Sequence, residues 1–177
     1  QIDVYSGSLN RLRTEVLTSA CFEDVRPLRG LSGEVDWYYS GLFSRMFMQN
    51  HFSGGLGKTL LIPTEGKLHI SKAILIGLGK SETYGEAQLQ SAVLTLFHTL
   101  KGLKVRQCAI DLESFQGSQH SITDLTAFFC TACPPEECDP PFALTFVVNH
   151  GETAKTLQYK IQNGDFFQPA AGQKHLH

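Results

Sequence analysis

Two segments constrain the fold more than any other feature. Ala73–Gly77 reads AILIG and Ala143–Val148 reads ALTFVV. Neither alternates apolar with polar residues, so neither can leave one face in water. Strands of this kind need cover on both faces, which in practice means a mainly parallel sheet between helices. Further strand candidates are Ile2–Tyr5, Glu15–Phe22 (EVLTSACF), Thr59–Ile62 and the alternating Cys108, Ile110 and Leu112. Pro63 and Gly66 mark a turn between Thr59–Ile62 and Ala73–Gly77, and a turn that short makes one strand pair antiparallel.

The helical periodicity falls between these strands. Within Gly33–Asn50, Val35, Tyr39, Leu42, Phe43, Met46 and Phe47 recur at three- and four-residue steps. Thr83-Tyr84-Gly85-Glu86 spells a capping box, and Leu89, Ala92, Val93, Leu96, Phe97 and Leu100 form one apolar face behind it. Ser121-Ile122-Thr123-Asp124 spells a second box, ahead of Leu125, Phe128 and Phe129. Glu152–Gln162 fits a helix through Ala154, Leu157 and Ile161, and a strand through Leu157, Tyr159 and Ile161; helix is favoured. Pro134–Pro141 (PPEECDPP) excludes regular structure. Strands alternating with amphipathic helices predict a three-layer α/β/α sandwich with a mixed, mostly parallel sheet. The expected boundaries are a domain over 1–163 and a loosely held tail over 164–177.

A chain of 177 residues suits one such domain. With 18% charged residues and a net charge of -2, it offers no whole-chain attraction for nucleic acid or an anionic membrane. Lys101, Lys104 and Arg106 read as a solvated helix end. No apolar run approaches a membrane span. The five cysteines are odd in number and irregularly spaced, which favours reduced thiols and a cytoplasmic setting. Cys130, Cys133 and Cys138 lack the second close pair that a structural zinc site needs and read as core or incidental thiols. The chain starts at Gln1 without Met, so removal of a leader stays open. None of the seven histidines sits in a nucleophile motif.

Phe52–Thr59 reads FSGGLGKT and ends as a phosphate-binding P-loop does. That loop needs a glycine where Phe52 stands, and it must follow a strand and open a helix. Here the order is reversed: a helical pattern precedes and the apolar run Leu60-Leu61-Ile62 follows. The glycines are better explained by a tight reversal with positive φ.

Several segments occur together in a familiar order: Leu31-Ser32-Gly33-Glu34-Val35-Asp36, then Gly54-x-x-Gly57, Leu60-Leu61-Ile62-Pro63, and Leu75-Ile76-Gly77-Leu78-Gly79-Lys80. Their combination resembles the N-terminal domain of the leucyl aminopeptidase family, over residues 2 to 130 and more weakly 143 to 148. The resemblance implies a macro-domain-like fold. It also implies that the family's chemistry lies in a second domain, where a Lys and several acids bind two metal ions. The signature of that domain, Asn-Thr-Asp-Ala-Glu-Gly-Arg, does not occur in these 177 residues. No catalytic residue, metal ligand or cofactor is therefore carried over. The expectation is a free-standing, non-catalytic interaction or regulatory module with a protein partner or self-association.

Two alternatives stand beside it. One is a binding domain for a nucleotide or other phosphate-containing small molecule. Its candidate residues are Gly77, Gly79, Lys80 and Ser81, at the carboxyl end of a strand, with Gly30 and Gly33 on the facing loop. Macro domains bind ADP-ribose in a comparable place, although this chain lacks their characteristic asparagine and long glycine run. The other alternative is an aminopeptidase-associated subunit acting with a separate catalytic chain.

Overall fold

The computed structural model describes residues 1–132 and 141–167. Among these residues, six strands form one sheet: β1 (Ile2–Tyr5), β2 (Thr14–Cys21), β3 (Thr59–Pro63), β4 (Ile70–Gly77), β5 (Gln107–Asp111) and β6 (Ala143–Val147). Their spatial order is β1-β6-β5-β2-β4-β3. Every neighbouring pair is parallel except β3 with β4, where Leu61 lies opposite Ile74. The expected mixed, mostly parallel sheet is thus the observed one.

Among the described residues, five α-helices cover it: α1 (Gly30–Tyr38), α2 (Leu42–Met48), α3 (Glu86–Gly102), α4 (Ile122–Ala132) and α5 (Gly151–Gln162). Alternation along each strand divides the core in two. Val16, Ile74, Ile76, Ile110 and Phe146 face one way and pack with Leu96 of α3, Phe129 of α4 and Leu157 of α5. Leu17, Cys21, Leu75 and Ala109 face the other way and pack with Val35 of α1 and Phe43 of α2. The apolar strands are therefore covered on both sides, as their composition requires.

Three local expectations need correction. The single helix expected over Gly33–Asn50 is two, because Ser40 and Gly41 take positive φ (56° and 75°) and turn the chain between them. The box at Thr83 does not form. Thr83 belongs to a 3-10 turn, where its hydroxyl donates to the Lys80 carbonyl at 3.3 Å. The cap of α3 is instead Gly85, whose amide donates to Gln88 Oε1 at 3.1 Å. Leu112 does not extend β5; it opens a 3-10 turn over Leu112–Phe115.

Other expectations hold. Ser121 caps α4, with the Asp124 amide donating to its Oγ at 3.1 Å. The ambiguous segment after His150 is helical, as favoured. The tail expected to be loosely held from residue 164 is anchored at Phe166, which is buried against the three-helix side of the sheet. Cys133, Cys138 and residues 134–140 and 168–177 lie outside the described residues. Among the described residues, no helix is long and apolar enough to cross a membrane.

Candidate functional site

The Gly54–Thr59 segment is a helix-to-strand loop, running from α2 into β3. Gly54 and Gly57 take φ of +83° and +71°. The loop lies against the end of β4: Gly57 donates its amide to the Gly77 carbonyl, Gly77 to that of Lys58 and Gly79 to that of Gly54. Its glycines fit it to a neighbouring backbone.

These contacts also define the Gly77–Ser81 turn. A Cβ on Gly77 would overlap the carbonyl oxygens of Gly54 and Gly55. The Leu78 amide donates to the Cys21 carbonyl at 2.9 Å. Ser81 donates its amide to Asp24 Oδ1 at 2.9 Å and its hydroxyl to Oδ2 at 2.8 Å. These hydrogen bonds hold the Asp24 carboxyl below the usual carboxylate range. The amides of Gly77, Leu78, Gly79 and Ser81 are therefore all engaged by the protein's own oxygens. Lys80 is exposed beside them.

A cleft of about 320 Å³ opens one strand away, and Gly30 lines it. Gly33 does not; a Cβ there would fall 2.7 Å from the Leu28 carbonyl oxygen, so this glycine lets the loop pack on α1. The cleft sits over the carboxyl ends of β2 and β5. From β2 the chain leaves to α1 on one face of the sheet; from β5 it leaves to α4 on the other. Adjacent parallel strands whose connections diverge in this way leave a crevice between them, the usual ligand position in open α/β sheets.

The two walls differ in character. On one side, α1 begins at Gly30, and Arg29 caps it in extended conformation without a side-chain hydrogen bond. Among the described residues, the amides of Gly30, Leu31 and Ser32 donate to no protein acceptor. Free first-turn amides and the helix dipole favour an anion there.

Asp111, which ends β5, lies on the other side. It is only 6% exposed, and Ser19 Oγ donates to its Oδ2 at 3.2 Å. Burial raises its carboxyl to about 7, against the opposing pull of the Ser19 hydrogen bond and helped by the nearby Glu113 charge. Glu113 is fixed in turn by Asn149, whose amide donates to Oε1 at 2.8 Å and whose side chain donates to Oε2. Ser114 Oγ accepts from the Ala20 amide at 2.8 Å and donates to the Asp111 carbonyl at 2.7 Å, tying the post-β5 turn to β2.

Cys21 also lines the cleft, but burial pushes its thiol to about 12, so it holds its proton at neutral pH. Among the described residues, no three His, Cys, Asp or Glu side chains gather as a metal-ligating set. Of the residues expected from the sequence at a ligand site, Gly30 lines this cleft; Asp111, Glu113 and Asn149 also line it and were not among those expected. The alternation of Cys108, Ile110 and Leu112 puts Asp111 on the other face of the strand, where an acid reads as solvated, so the sequence carried no signal for its burial.

The sequence matches the family model described as the N-terminal domain of the cytosol aminopeptidase family over residues 20–132. A probable cytosol aminopeptidase of Alkaliphilus metalliredigens is 29% identical over 107 residues, which are 60% of this chain and 21% of that protein. One from a Sulfurihydrogenibium species is 24% identical, over 71% of this chain and 25% of that protein. The chain thus spans about a fifth to a quarter of the length of these curated relatives. A Trypanosoma brucei macrodomain solved in complex with ADP shares the fold, with a TM-score of 0.71 and 15% identity over 90% of this chain and 68% of that one. A tomato leucine aminopeptidase mutant does so with a TM-score of 0.61 and 18% identity, over 89% of this chain and 34% of that one.

Proposed function

The chain belongs to the cytosol aminopeptidase family through its N-terminal domain, and from that premise we propose that it is a non-catalytic regulatory module that takes a nucleotide-type small molecule in the cleft between β2 and β5. The observation that carries this reading is the open N-terminus of α1. Three amides without protein acceptors and the Arg29 cation stand at the mouth of a cleft at the strand crossover point. Two proteins of the same fold support the ligand class: the T. brucei macrodomain holds ADP, and Thermosipho africanus DarTG was solved in complex with ADP-ribose. Peptidase chemistry has no place in this reading, because the metal-binding signature of the family does not occur in these 177 residues.

The test is calorimetric titration with ADP and ADP-ribose. Gly30 has a φ of +58° with open space around its Cβ position. Asn and Asp both tolerate that conformation, and an acid at a helix start is favourable. Gly30→Asp places a carboxylate where the phosphate would sit, and Gly30→Asn is its uncharged match. Binding to the wild type and to Gly30→Asn, with loss in Gly30→Asp, is the expected result. Equal binding by all three proteins would remove the phosphate from α1.

A second reading is contact with another protein. Trp37 and Met48 are 76% and 82% exposed, an unusual placement for large apolar side chains. A second copy of this chain or a separate aminopeptidase catalytic chain is the partner this reading names. Sedimentation of the wild type and of Trp37→Ser with Met48→Ser, alone and with an aminopeptidase catalytic domain, tests it. A wild type that stays monomeric and captures no catalytic domain rejects it.

A further inference from the structure

We infer that the floor of the cleft reads the vicinal hydroxyls of a ribose and rejects phosphate, with Asp111 as the residue that sets this choice. The inference rests on the proposed use of the cleft as a ligand site and assigns a direction to the ligand within it.

The charges decide the direction. Among the described residues that line the cleft, Arg29 is the only Lys or Arg, and it stands at the α1 end. The opposite side holds the carboxyls of Asp111 and Glu113. The backbone amide and the side chain of Asn149 both donate to Glu113 and hold its carboxylate on that side. Asp111 is nearly buried, and the side chain donating to its Oδ2 is the neutral hydroxyl of Ser19. A phosphate driven to this floor would meet like charge where water screens poorly.

A buried carboxylate without a protein cation is stabilised by further hydrogen-bond donors, and neutral hydroxyls supply them without bringing like charge. Two neighbouring hydroxyls supply a pair of them, and an acid at the end of a parallel strand holds ribose hydroxyls in this way in dinucleotide-binding folds. A nucleotide lying with its phosphate on the α1 amides and its sugar at Asp111 satisfies both walls. An all-phosphate ligand satisfies one and is repelled by the other.

Calorimetry at pH 8 with ADP, 2′,3′-dideoxy-ADP and pyrophosphate tests this. The wild type is expected to bind ADP about tenfold or more tightly than the dideoxy compound, the loss typical of a hydrogen bond to a charged group. Pyrophosphate should bind more weakly than ADP. In Asp111→Asn, which keeps the side-chain shape and the Ser19 contact, the preference for the diol should vanish and pyrophosphate should gain. Equal binding of ADP and its dideoxy analogue by the wild type would overturn the inference while leaving the cleft a nucleotide site. Full diol preference retained in Asp111→Asn would overturn it in the same way. Failure of the wild type to bind ADP at all would instead remove the cleft reading and the inference with it. The wild-type comparison needs no variant, so it decides even if the substitution disturbs folding; Asp111→Ser provides a second variant.

Discussion

The carboxylate of Asp36, on α1, accepts the backbone amide of Phe43, in the first turn of α2, at 2.7 Å. Its Oδ1 also accepts the Ser44 amide at 3.2 Å. One buried acid thus supplies the cap that α2 cannot take from Gly41, the residue at its N-cap position. The ends of a helix leave amides that need such partners. Asp36→Ala should destabilise the protein by about 1–3 kcal/mol, since it removes a cap and leaves two amides near the core without acceptors. Urea unfolding followed by circular dichroism measures this, and Asp36→Asn should recover part of the loss.

Gly77 gives a second prediction. Its α-carbon lies against the carbonyls of Gly54 and Gly55, and no backbone motion confined to one residue makes room for a methyl group. Gly77→Ala should cost about 2–4 kcal/mol, as overpacking against backbone does. Gly66 is the control: it has φ of +76° and open space, so Gly66→Ala carries only the conformational cost, about 1 kcal/mol. A larger loss at Gly66 than at Gly77 would mean that the Gly54–Thr59 loop does not lie on β4 as described.

The sheet and its helices were legible because their signals are local. AILIG and ALTFVV cannot be solvated on either face, and Leu89, Leu96, Leu125 and Phe129 each repeat at helical spacing and are buried. The break between α1 and α2 was not legible. Tyr39, Leu42 and Phe43 keep helical spacing straight through it, while the cap that permits it comes from Asp36, on the preceding helix. Thr83 failed as a cap for a similar reason. Tyr84 is buried with its hydroxyl donating to the Phe115 carbonyl at 2.6 Å, and that distant contact fixes where α3 can begin. The cleft is the least local feature of all. Asp111 reaches the floor of the cleft only because β5 pairs with β2, which brings Ser19 within hydrogen-bonding distance across 92 residues of chain.

The buried thiols are expected to be inert. Cys21, Cys108 and Cys130 are all free and buried, and burial pushes each thiol to about 12. The thiolate is the reactive form, so brief alkylation of the folded protein at pH 8 should leave these three unmodified. Peptide mapping by mass spectrometry should find all three labelled only after denaturation. Labelling of Cys21 in the native protein would indicate that the floor of the cleft opens to solvent.

Asp111 should also leave a mark on stability. Its folded carboxyl titrates near 7, well above an ordinary carboxylate, with burial as the main cause. In the window between roughly pH 4 and pH 7, the folded state therefore binds a proton that the unfolded state has released. The favourable contribution is complete below pH 4 and is lost as pH rises through 7, because folding must then keep a charged group in a buried position. The wild type should accordingly lose stability relative to Asp111→Asn between pH 4 and pH 8, by roughly 2–4 kcal/mol. Asn carries no proton to exchange, so the difference between the two proteins isolates this group from every other carboxylate in the chain. Denaturation midpoints at matched ionic strength across that range make the measurement. A difference that stays flat with pH would place the Asp111 carboxyl in contact with water, and the cleft floor would then be wetter than its 6% exposure indicates.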